Sequence, residues 1–288
     1  MKILLTGATG QVGFELARRL QRMGEVIAVD RTRMDLADLD QVRDVVRQIK
    51  PNLIVNPAAY TNVDKAESEP ALAHRINAEA PAVMAAEALK LGCAIVHYST
   101  DYVFDGTKTG PYTETDPVNP INVYGQSKLA GERAIMATGV SHLILRTSWV
   151  YGQHGKNFLL TMLRLAHERC ELRVVADQLG APTWSRTIAD ATAAILAHAK
   201  TDGDPWWQRN GGIYHLACQG QTTWAAFAAA IIARSGLECA VVPITSAEYP
   251  TPARRPLNSV LDTSKLHPLY ALPSWESALS ACLYLGDR

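Results

Sequence analysis

Three glycines near the start of the chain restrict its fold more than any other feature of the sequence. Residues 2–7, KILLTG, are predicted to form a β-strand, and Gly7, Gly10 and Gly13 lie between this strand and a segment of helical period. Glycines in this position let backbone N–H groups approach a pyrophosphate at a helix N-terminus, where the helix dipole favours an anion. The spacing is GxxGxxG rather than GxGxxG, so it is the position after a strand that predicts a dinucleotide-binding turn.

Short β-rich runs alternate with longer helical segments through the first half of the chain. The predicted strands are KILLTG, EVIAVD, NLIVN, AIVHYST and HLILRTS. The predicted helices include residues 39–50, 70–91 and 119–136. This alternation is typical of βαβ units, in which helices cover both faces of a parallel sheet. The predicted fold class is therefore α/β, with a Rossmann-type doubly wound parallel sheet.

The second half is less regular, and prolines cluster near its end, notably in YPTPARRP. This pattern predicts a smaller, loop-rich C-terminal substrate-binding lobe. We predict an NAD(P)-binding domain over residues 1–150, with segments within about 184–217, and a substrate-binding domain over residues 151–183 and 218–288. A ligand is expected in the cleft between the two.

Composition excludes several classes of protein. The 28 basic and 28 acidic residues cancel, so no overall field favours nucleic acid or an anionic membrane. The opening MKILLTGATG is too short an apolar run for a signal peptide, and the run from Trp224 to Ala233 is too short to span a bilayer. The five cysteines are scattered and form no CxxC motif, which favours reduced core thiols. We expect a soluble, cytoplasmic protein that binds neither nucleic acid nor membrane.

Tyr124 and Lys128 are four residues apart in VYGQSK, so a helix places them on one face. The ordinary pKa of tyrosine is about 10, and a neighbouring ammonium makes its phenol easier to deprotonate. Such pairs are common on helices, so their context must decide. AIVHYST ends in Ser99 and Thr100, at the strand end that faces the ligand crevice of an open α/β sheet.

A hydroxyl at that strand end and a tyrosine at the start of the next helix can converge on one carbonyl oxygen. We therefore predict carbonyl reduction, in which a nicotinamide gives a hydride to carbon and Tyr124 gives a proton to oxygen. Lys128 is predicted to lower the pKa of Tyr124 and to hold the nicotinamide ribose. His97, inside the same predicted strand, is interpreted as a core histidine.

An acidic residue ends the predicted second strand, where a carboxylate can accept hydrogen bonds from the adenosine ribose. This residue is Asp30, and capping of a turn is an equally good interpretation of it. Arg31 and Arg33 follow and could hold a 2′-phosphate, which leaves NADH and NADPH both open. Asp35 and Leu36 are candidates for the adenine region, with a helix N-cap as the alternative for Asp35.

The guanidinium groups of Arg254 and Arg255, in TPARRP, are candidates for a diphosphate because their geometry suits phosphate oxygens. Asn157 and Gln178 are candidates to assist them. Pinning of a surface loop is the alternative role for each of these four residues.

Six longer strings, read together with the glycine turn and the Tyr124 and Lys128 pair, resemble the dTDP-4-dehydrorhamnose reductase family of the extended short-chain dehydrogenase/reductase superfamily. The strings are VDKAESEP, HYSTDYVF, NVYGQSKLAGE, RTSWVYG, DQLGAPT and YPTPARRP, in order over nearly the whole chain. The resemblance implies reduction of the C4 keto group of dTDP-4-dehydro-L-rhamnose by NADH or NADPH, in the biosynthesis of nucleotide sugars for bacterial polysaccharide and O-antigen. It implies a small-molecule nucleotide sugar as partner, and the working form is expected to be a monomer or a homodimer.

The resemblance also implies roles for single residues. Thr100, Tyr124 and Lys128 would be catalytic, and Thr100 and Asp101 would meet the sugar. Trp149 would stack its indole on the sugar, with a core aromatic as the alternative. The cofactor would contact Gly7, Gly10, Gln11, Val12, Asp30, Asp35, Leu36, Ala59, Tyr60, Thr61, Tyr124 and Lys128.

Some members of the resembled family bind Mg²⁺ between subunits through acidic side chains. Glu15 and Asp190 could serve, but TWSRT has no acidic residue, so Mg²⁺ is possible without support from the sequence and no metal site is predicted. A dehydratase typically shows Thr-Asp-Glu where this chain has Thr100, Asp101 and Tyr102, which argues against elimination. An epimerase or ketoreductase of the same superfamily and a non-catalytic NADP-binding regulatory subunit remain as alternatives.

Overall fold

The computed structural model describes residues 1–286, apart from the side chains of residues 202, 204 and 286. Its strands, in chain order, are β1 (Lys2–Leu5), β2 (Glu25–Ala28), β3 (Leu53–Asn56), β4 (Ala94–Thr100), β5 (His142–Thr147), β6 (Val150–Tyr151), β7 (Glu171–Val175), β8 (Leu179–Gly180), β9 (Thr183–Trp184), β10 (Gly212–His215), β11 (Thr222–Thr223) and β12 (Ala240–Ile244).

The helices in chain order are α1 (Gln11–Arg19), α2 (Leu39–Ile49), α3 (Val63–Ala66), α4 (Pro70–His74), α5 (Ala80–Leu91), α6 (Val123–Thr138), α7 (Phe158–Glu168), α8 (Ser185–Asp202), α9 (Asp204–Asn210), α10 (Trp224–Arg234) and α11 (Trp275–Gly286). A π-helical turn, Arg75–Glu79, joins α4 to α5, so the long helix predicted over residues 70–91 is continuous. No helix within the described residues is both long and apolar enough to cross a membrane.

Six strands form one parallel sheet in the order β10-β5-β4-β3-β1-β2. The chain adds β2 on one side of β1 and all later strands on the other, so the winding reverses between β1 and β3. Ligands of open α/β sheets bind at the carboxyl ends of the strands beside such a reversal. The predicted α/β class with a doubly wound parallel sheet is confirmed.

Alternation along β1 places apolar side chains on both faces of this sheet. Ile3 and Leu5 pack in one buried cluster with α1 and α8, whereas Leu4 packs in a second cluster with α2 and α5. All three side chains are completely buried, and burial of each stabilises the fold by roughly 2 kcal/mol. The sheet is therefore covered on both faces, as its apolar strands require.

Helix α6 carries the predicted tyrosine and lysine, and its ends have local causes. Asn122 caps the first turn by accepting a hydrogen bond from the Gly125 N–H at 2.8 Å, and Gly139 ends the helix with φ 74°. Gly125 also lets the helix approach the turn after β4, because a Cβ there would lie 2.1 Å from the Tyr102 carbonyl oxygen. The helix predicted over residues 119–136 was wrong at its start, since residues 119–121 precede the cap.

A third apolar cluster lies in the C-terminal part of the chain, away from the large sheet. It joins α7, α10 and α11 to the parallel strand pair β7 and β12, with Phe227 and Leu279 completely buried. Residues 250–273, which include the predicted proline-rich loop, contain no helix or strand. This part packs beside the carboxyl end of the sheet through short pairs such as β6 with β9.

Candidate active site

The glycine turn between β1 and α1 is held in a form that other residues could not adopt without displacement. Gly7 has φ +55°, and a Cβ on it would lie 2.9 Å from the Cα of Ala58 in the loop after β3. A Cβ on Gly13 would lie 2.0 Å from the Gly7 carbonyl oxygen. Helix α1 therefore begins directly against the turn, with Gly10 as its N-cap and its N–H groups directed at the reversal point of the sheet.

Gln11 and Val12 form the first turn of α1 beside these glycines. The Oε1 atom of Gln11 is buried and has no hydrogen-bond partner in the described structure, while Nε2 contacts the Val150 carbonyl oxygen at 3.5 Å. A buried acceptor without a donor fits a bound polar ligand at this place. The backbone N–H groups of the turn suit a pyrophosphate, which only accepts hydrogen bonds, whereas the Gln11 Oε1 acceptor suits a donor such as a ligand hydroxyl.

Asp30 lies two residues beyond the end of β2 and is exposed to solvent. Its Oδ1 accepts hydrogen bonds from the Thr32 hydroxyl at 2.6 Å and the Thr32 N–H at 3.0 Å, and the hydroxyl bond most strongly lowers the pKa of Asp30. This geometry is compatible with both turn capping and ribose binding by Asp30, because a carboxylate that caps the turn keeps free lone pairs for a ribose.

Asp35 and Leu36, the residues predicted for the adenine region, have contacts within the protein. Arg31 is mostly exposed and pairs with Asp35, Nε to Oδ2 at 3.1 Å, while the Ala37 N–H contributes most to lowering the pKa of Asp35. Leu36 is buried beneath them in the cluster around α2. Asp35 is thus held by neighbours within its own loop.

Ala59, Tyr60 and Thr61 follow β3 and lie along the same edge of the sheet. The Tyr60 hydroxyl donates to Glu69 Oε2 at 2.7 Å, and the Tyr60 N–H donates to Asn77 Oδ1 at 2.8 Å. Burial raises the pKa of Tyr60 to about 12, with the Glu69 bond acting in the same direction. This loop is therefore fixed by contacts within the protein.

Thr100 and Tyr124 meet at the carboxyl end of β4. Thr100 is buried, and its hydroxyl donates to Asp101 Oδ1 at 2.9 Å while accepting from the Tyr102 N–H at 3.1 Å. Burial raises the pKa of Tyr124 to about 12, whereas its hydrogen bond with Thr100 acts to lower it. The two hydroxyl groups are thus in hydrogen-bond contact at this strand end.

Lys128, one helical turn beyond Tyr124, is only 2 % exposed. Its Nζ lies 3.2 Å from His97 Nε2 of β4. Burial lowers the pKa of Lys128 to about 8, against an opposing effect of Glu132. The expected lowering of the tyrosine pKa by Lys128 is not found in the free protein, because burial dominates at Tyr124 and Lys128 is not among the causes of its shift.

Asp101 is a buried carboxyl group beside the two hydroxyls. Burial raises its pKa to about 7, although hydrogen bonds with Ser259 and Thr100 act to lower it. Its Oδ2 atom is buried without a partner among the described residues. A buried acceptor at the mouth of the site fits contact with a sugar hydroxyl.

Trp149 adopts φ 47°, a left-handed backbone conformation that is rare for an aromatic residue. Its ring stacks on Trp224, with centroids 3.6 Å apart and planes within 8°, and Gly180 lies so close that a Cβ there would be 2.3 Å from the ring. The ring of Phe158 packs against Trp224, with 4.7 Å between the two ring centroids. Trp149 is therefore neither in the main core nor free in solvent.

A cavity of about 1120 Å³ opens on the side of Trp224 in the C-terminal part of the chain. Its walls include Phe158, Met162 and Val174 from α7 and β7, with Tyr249 and Arg254 from the loop that follows β12. The volume suits a small-molecule ligand with an aromatic or apolar portion. Arg254 is exposed at its edge, so its guanidinium is available to an anion.

The other predicted anion ligands have structural partners. Arg255 donates to both carboxylate oxygens of Asp64, at 3.1 and 2.8 Å. Gln178 donates to Ser246 Oγ at 2.9 Å, and Asn157 caps α7. For these three residues the structure favours the loop-pinning alternative.

Several residues of the site escaped the sequence interpretation. In the sequence, Trp224 belongs only to an apolar run too short to span a bilayer, and His97 is interpreted as a core histidine. Asn56, Asp64 and Phe158 gave no signal, because their partners lie far away in sequence. Trp224 directly follows the TT pair of β11, and this helix-start position, half-buried in the structure, was the available signal that it is not a core residue.

The acidic residues considered for Mg²⁺ are engaged in ion pairs. Glu15 pairs with Arg186 at 3.3 Å, and Asp190 pairs with Arg19. Among the described residues no group of three or more His, Cys, Asp or Glu side chains could hold a metal ion. Both carboxylates considered for Mg²⁺ therefore already have cationic partners within the chain.

A parallel doubly wound sheet, a glycine turn at its reversal and a tyrosine and lysine pair at the same crevice define a dinucleotide-binding protein of the short-chain dehydrogenase/reductase class. The family model described as RmlD substrate binding domain matches residues 1–286. The chain belongs to the dTDP-4-dehydrorhamnose reductase family, as its sequence predicted.

Named relatives support this assignment over the full length. A dTDP-4-dehydrorhamnose reductase of Burkholderia thailandensis is 50% identical over 293 residues, covering 98% of each chain. The crystal structure of a dTDP-4-dehydrorhamnose reductase from Clostridium acetobutylicum matches with a TM-score of 0.92 at 38% identity, covering 100% of both chains. A Bacillus anthracis dTDP-4-dehydrorhamnose reductase in complex with NADP matches with a TM-score of 0.90 at 35% identity, covering 99% of both chains.

Proposed function

We propose that this protein reduces the C4 keto group of dTDP-4-dehydro-L-rhamnose to give dTDP-L-rhamnose, with NADH or NADPH as reductant. The observation that carries the proposal is the Thr100 and Tyr124 pair beside the glycine turn, in a chain of the dTDP-4-dehydrorhamnose reductase family. The product would serve nucleotide-sugar, polysaccharide and O-antigen biosynthesis.

Tyr124 is the proposed proton donor. Its raised pKa keeps the phenol protonated at neutral pH, so a proton is present for the substrate oxygen. The Thr100 hydroxyl fixes the direction of the phenol and lies where it can hydrogen-bond the same oxygen. The nicotinamide supplies the hydride to the carbonyl carbon.

The cofactor would be held by residues along the carboxyl edge of the sheet. The turn with Gly7, Gly10 and the first residues of α1 suits the pyrophosphate, and Asp30 suits the adenosine ribose. Lys128 and Tyr124 would bind the nicotinamide ribose. The remaining proposed contacts are Gln11, Val12, Asp35, Leu36, Ala59, Tyr60 and Thr61.

The nucleotide sugar would extend from the catalytic hydroxyls towards the cavity beside Trp224. Thr100 and Asp101 would contact the sugar, and Trp149 would offer an indole face to it. The base and the diphosphate fit the cavity, with Arg254 at its edge as the proposed phosphate ligand.

Several features support the proposed division into two domains. Strand β10 pairs with β5, and α8 packs on α1, so residues within 184–217 go with the NAD(P)-binding sheet. The substrate domain would contain the cluster around Phe227. We propose a monomer or homodimer that works in the cytoplasm, consistent with five free cysteine thiols.

The decisive experiment follows the absorbance of NADH and of NADPH with the dTDP-linked 4-keto-6-deoxy sugar as substrate, with and without a chelator. We expect stoichiometric oxidation of at least one cofactor, and a rate that the chelator leaves unchanged. An epimerase would interconvert sugars without net oxidation of cofactor, and a regulatory subunit would turn over nothing. Either of these results would overturn the proposal.

A further inference from the structure

A buried chain of hydrogen bonds runs from the glycine turn to Lys128. Thr6 donates its hydroxyl to Asn56 Oδ1 at 2.6 Å, Asn56 Nδ2 lies 3.1 Å from His97 Nδ1, and His97 Nε2 lies 3.2 Å from Lys128 Nζ. The four side chains are at most 2 % exposed. Water has little access to these side chains, so their polar atoms must form hydrogen bonds with one another.

The direction of this chain follows from its first members. The Ala58 N–H donates to Thr6 Oγ1 at 3.4 Å, which leaves the Thr6 proton for Asn56 Oδ1. The 2.6 Å separation is typical of an O–H···O bond rather than of an amide donor. Asn56 therefore presents its NH₂ group to His97, and Nδ1 of His97 must accept.

A neutral imidazole carries one proton, so an accepting Nδ1 places that proton on Nε2. His97 is neutral because burial lowers its pKa well below the ordinary value, and a charge on Lys128, when present, acts in the same direction. Its Nε2–H then faces Lys128 Nζ. An amine has a lone pair that can accept this bond, whereas an ammonium has none.

Protonation of Lys128 would require the chain to reverse. Nε2 would have to accept, Nδ1–H would donate to the side-chain oxygen of Asn56, and the amide would turn its NH₂ group towards Thr6. The Thr6 hydroxyl would then lose the acceptor that it has at 2.6 Å. The arrangement in the structure thus matches the uncharged lysine.

We propose that His97 is a positioning residue for Lys128, and that its tautomer is coupled to the charge of Lys128 through Asn56. The imidazole carries its proton on Nε2 when the amine is uncharged and on Nδ1 when the ammonium donates to it. A catalytic role of Lys128 rests on the proposed function, but the coupling itself does not.

The other charged groups around Lys128 leave His97 as its direct partner. On its own helix, Glu132 is held by Arg146 of β5 at 2.7 Å, and Tyr124 lies one turn before it. The turn after β4 contributes Asp101, which faces Tyr124. Since burial lowers the pKa of Lys128 to about 8, its change of charge falls within an accessible pH range.

The test uses the full-length protein labelled with ¹⁵N-histidine. Long-range ¹H–¹⁵N spectra distinguish the two tautomers, and His97 is assigned by the signal lost in His97→Gln. Between about pH 10 and about pH 6, a range that brackets a lysine of lowered pKa, we expect His97 to change from the Nε2–H to the Nδ1–H form. One tautomer throughout this range would overturn the proposal.

Two variants and a control locate the cause. In Lys128→Met the transition should vanish and leave Nε2–H at every pH, because only Asn56 then sets the tautomer; a transition that persists contradicts the coupling. Asn56→Asp should abolish the Nε2–H form, since a carboxylate only accepts. Tyr98→Phe, on the same strand, removes a buried bond to Thr192 and should leave the transition unchanged. None of these measurements depends on turnover, so a failed assay of reduction would be distinguishable.

Discussion

Tyr124 retains its proton in the free protein because the effect of burial outweighs that of the hydrogen bond with Thr100. A phenol with a pKa of about 12 is a poor acid until a neighbouring charge or a developing oxyanion assists it. Proton transfer would therefore occur only when a substrate carbonyl is polarised beside it. This property would protect the site from unproductive proton loss.

Replacement of the phenol tests this role directly. Tyr124→Phe should lower kcat by about 10²- to 10⁴-fold, because the substrate oxygen loses its proton donor while the ring remains. Turnover is measured by NAD(P)H oxidation, and fluorescence titration of the cofactor ensures that kcat is compared at saturation, since Tyr124 is also a proposed contact of the nicotinamide ribose. Tyr151→Phe is the matched control, since the Tyr151 hydroxyl is buried without a hydrogen-bond partner in the described structure and lies outside the proposed site. Full turnover by Tyr124→Phe would exclude it as the donor.

The Asp101 carboxyl group predicts a pH dependence of stability. Its pKa is about 7 in the folded protein and 3.8 for an ordinary aspartate, so the folded state binds the proton more tightly and stability falls as pH rises between these values. Asp101→Asn removes this dependence. Between about pH 5 and about pH 8 the free energy of unfolding of the variant should improve relative to the wild type by roughly 2 to 3 kcal/mol. Urea unfolding at both pH values measures it, and parallel curves would contradict the assignment.

At the scale of single elements, the turn between β1 and α1 has little tolerance for added atoms. Gly13→Ala would place a Cβ 2.0 Å from the Gly7 carbonyl oxygen, so α1 must move away from the turn. We expect cofactor affinity to fall by at least about tenfold, which corresponds to about 1.4 kcal/mol. Gly110→Ala is the control, because no atom lies within 4 Å of the added Cβ. Equal affinities of the two variants for NADPH would refute a close-packed turn.

The boundaries of the elements were largely predictable, because they depend on local signals. Pro51 and the left-handed Lys50 end α2 close to its predicted end, whereas α6 continues beyond its predicted end at residue 136 to Thr138, before Gly139. The start of α6 was predicted too early, because several residues before Val123 could serve as the N-cap. The hydrogen bond from the Gly125 N–H to Asn122 identifies Asn122 as the cap. Propensity alone does not contain that bond.

The chemistry of the site was predictable in part, because Thr100 and Tyr124 belong to neighbouring elements. The environment of Lys128 was not predictable. Its contact with His97 joins residues 31 apart, and the contact of Thr6 with Asn56 joins residues 50 apart. Burial sets the protonation of these groups, and burial is a property of the packed molecule rather than of a sequence window.

At the scale of the whole molecule, the stacked Trp149 and Trp224 connect the catalytic end of the sheet to the cavity. Trp224→Leu should raise KM for the nucleotide sugar about tenfold, because the cavity loses an aromatic wall and Trp149 loses its support. The KM for the nicotinamide cofactor should not change. Steady-state kinetics with both substrates measures this difference, with Trp207→Leu as control since Trp207 lies outside this cavity. An equal rise in both KM values would contradict a role of Trp224 that is specific to the nucleotide sugar.

The Asp64 and Arg255 pair joins α3 to the loop behind the cavity across 191 residues of sequence. Arg255 is the largest cause of the lowered pKa of Asp64, so the pair is complete at neutral pH and weakens as acid protonates the carboxylate. Both side chains are partly exposed, which also makes the contact sensitive to ionic strength. Salt and acid should therefore weaken the contact between α3 and this loop, so the wall of the cavity that Asp64 and Arg255 form would respond to the medium as well as to a ligand.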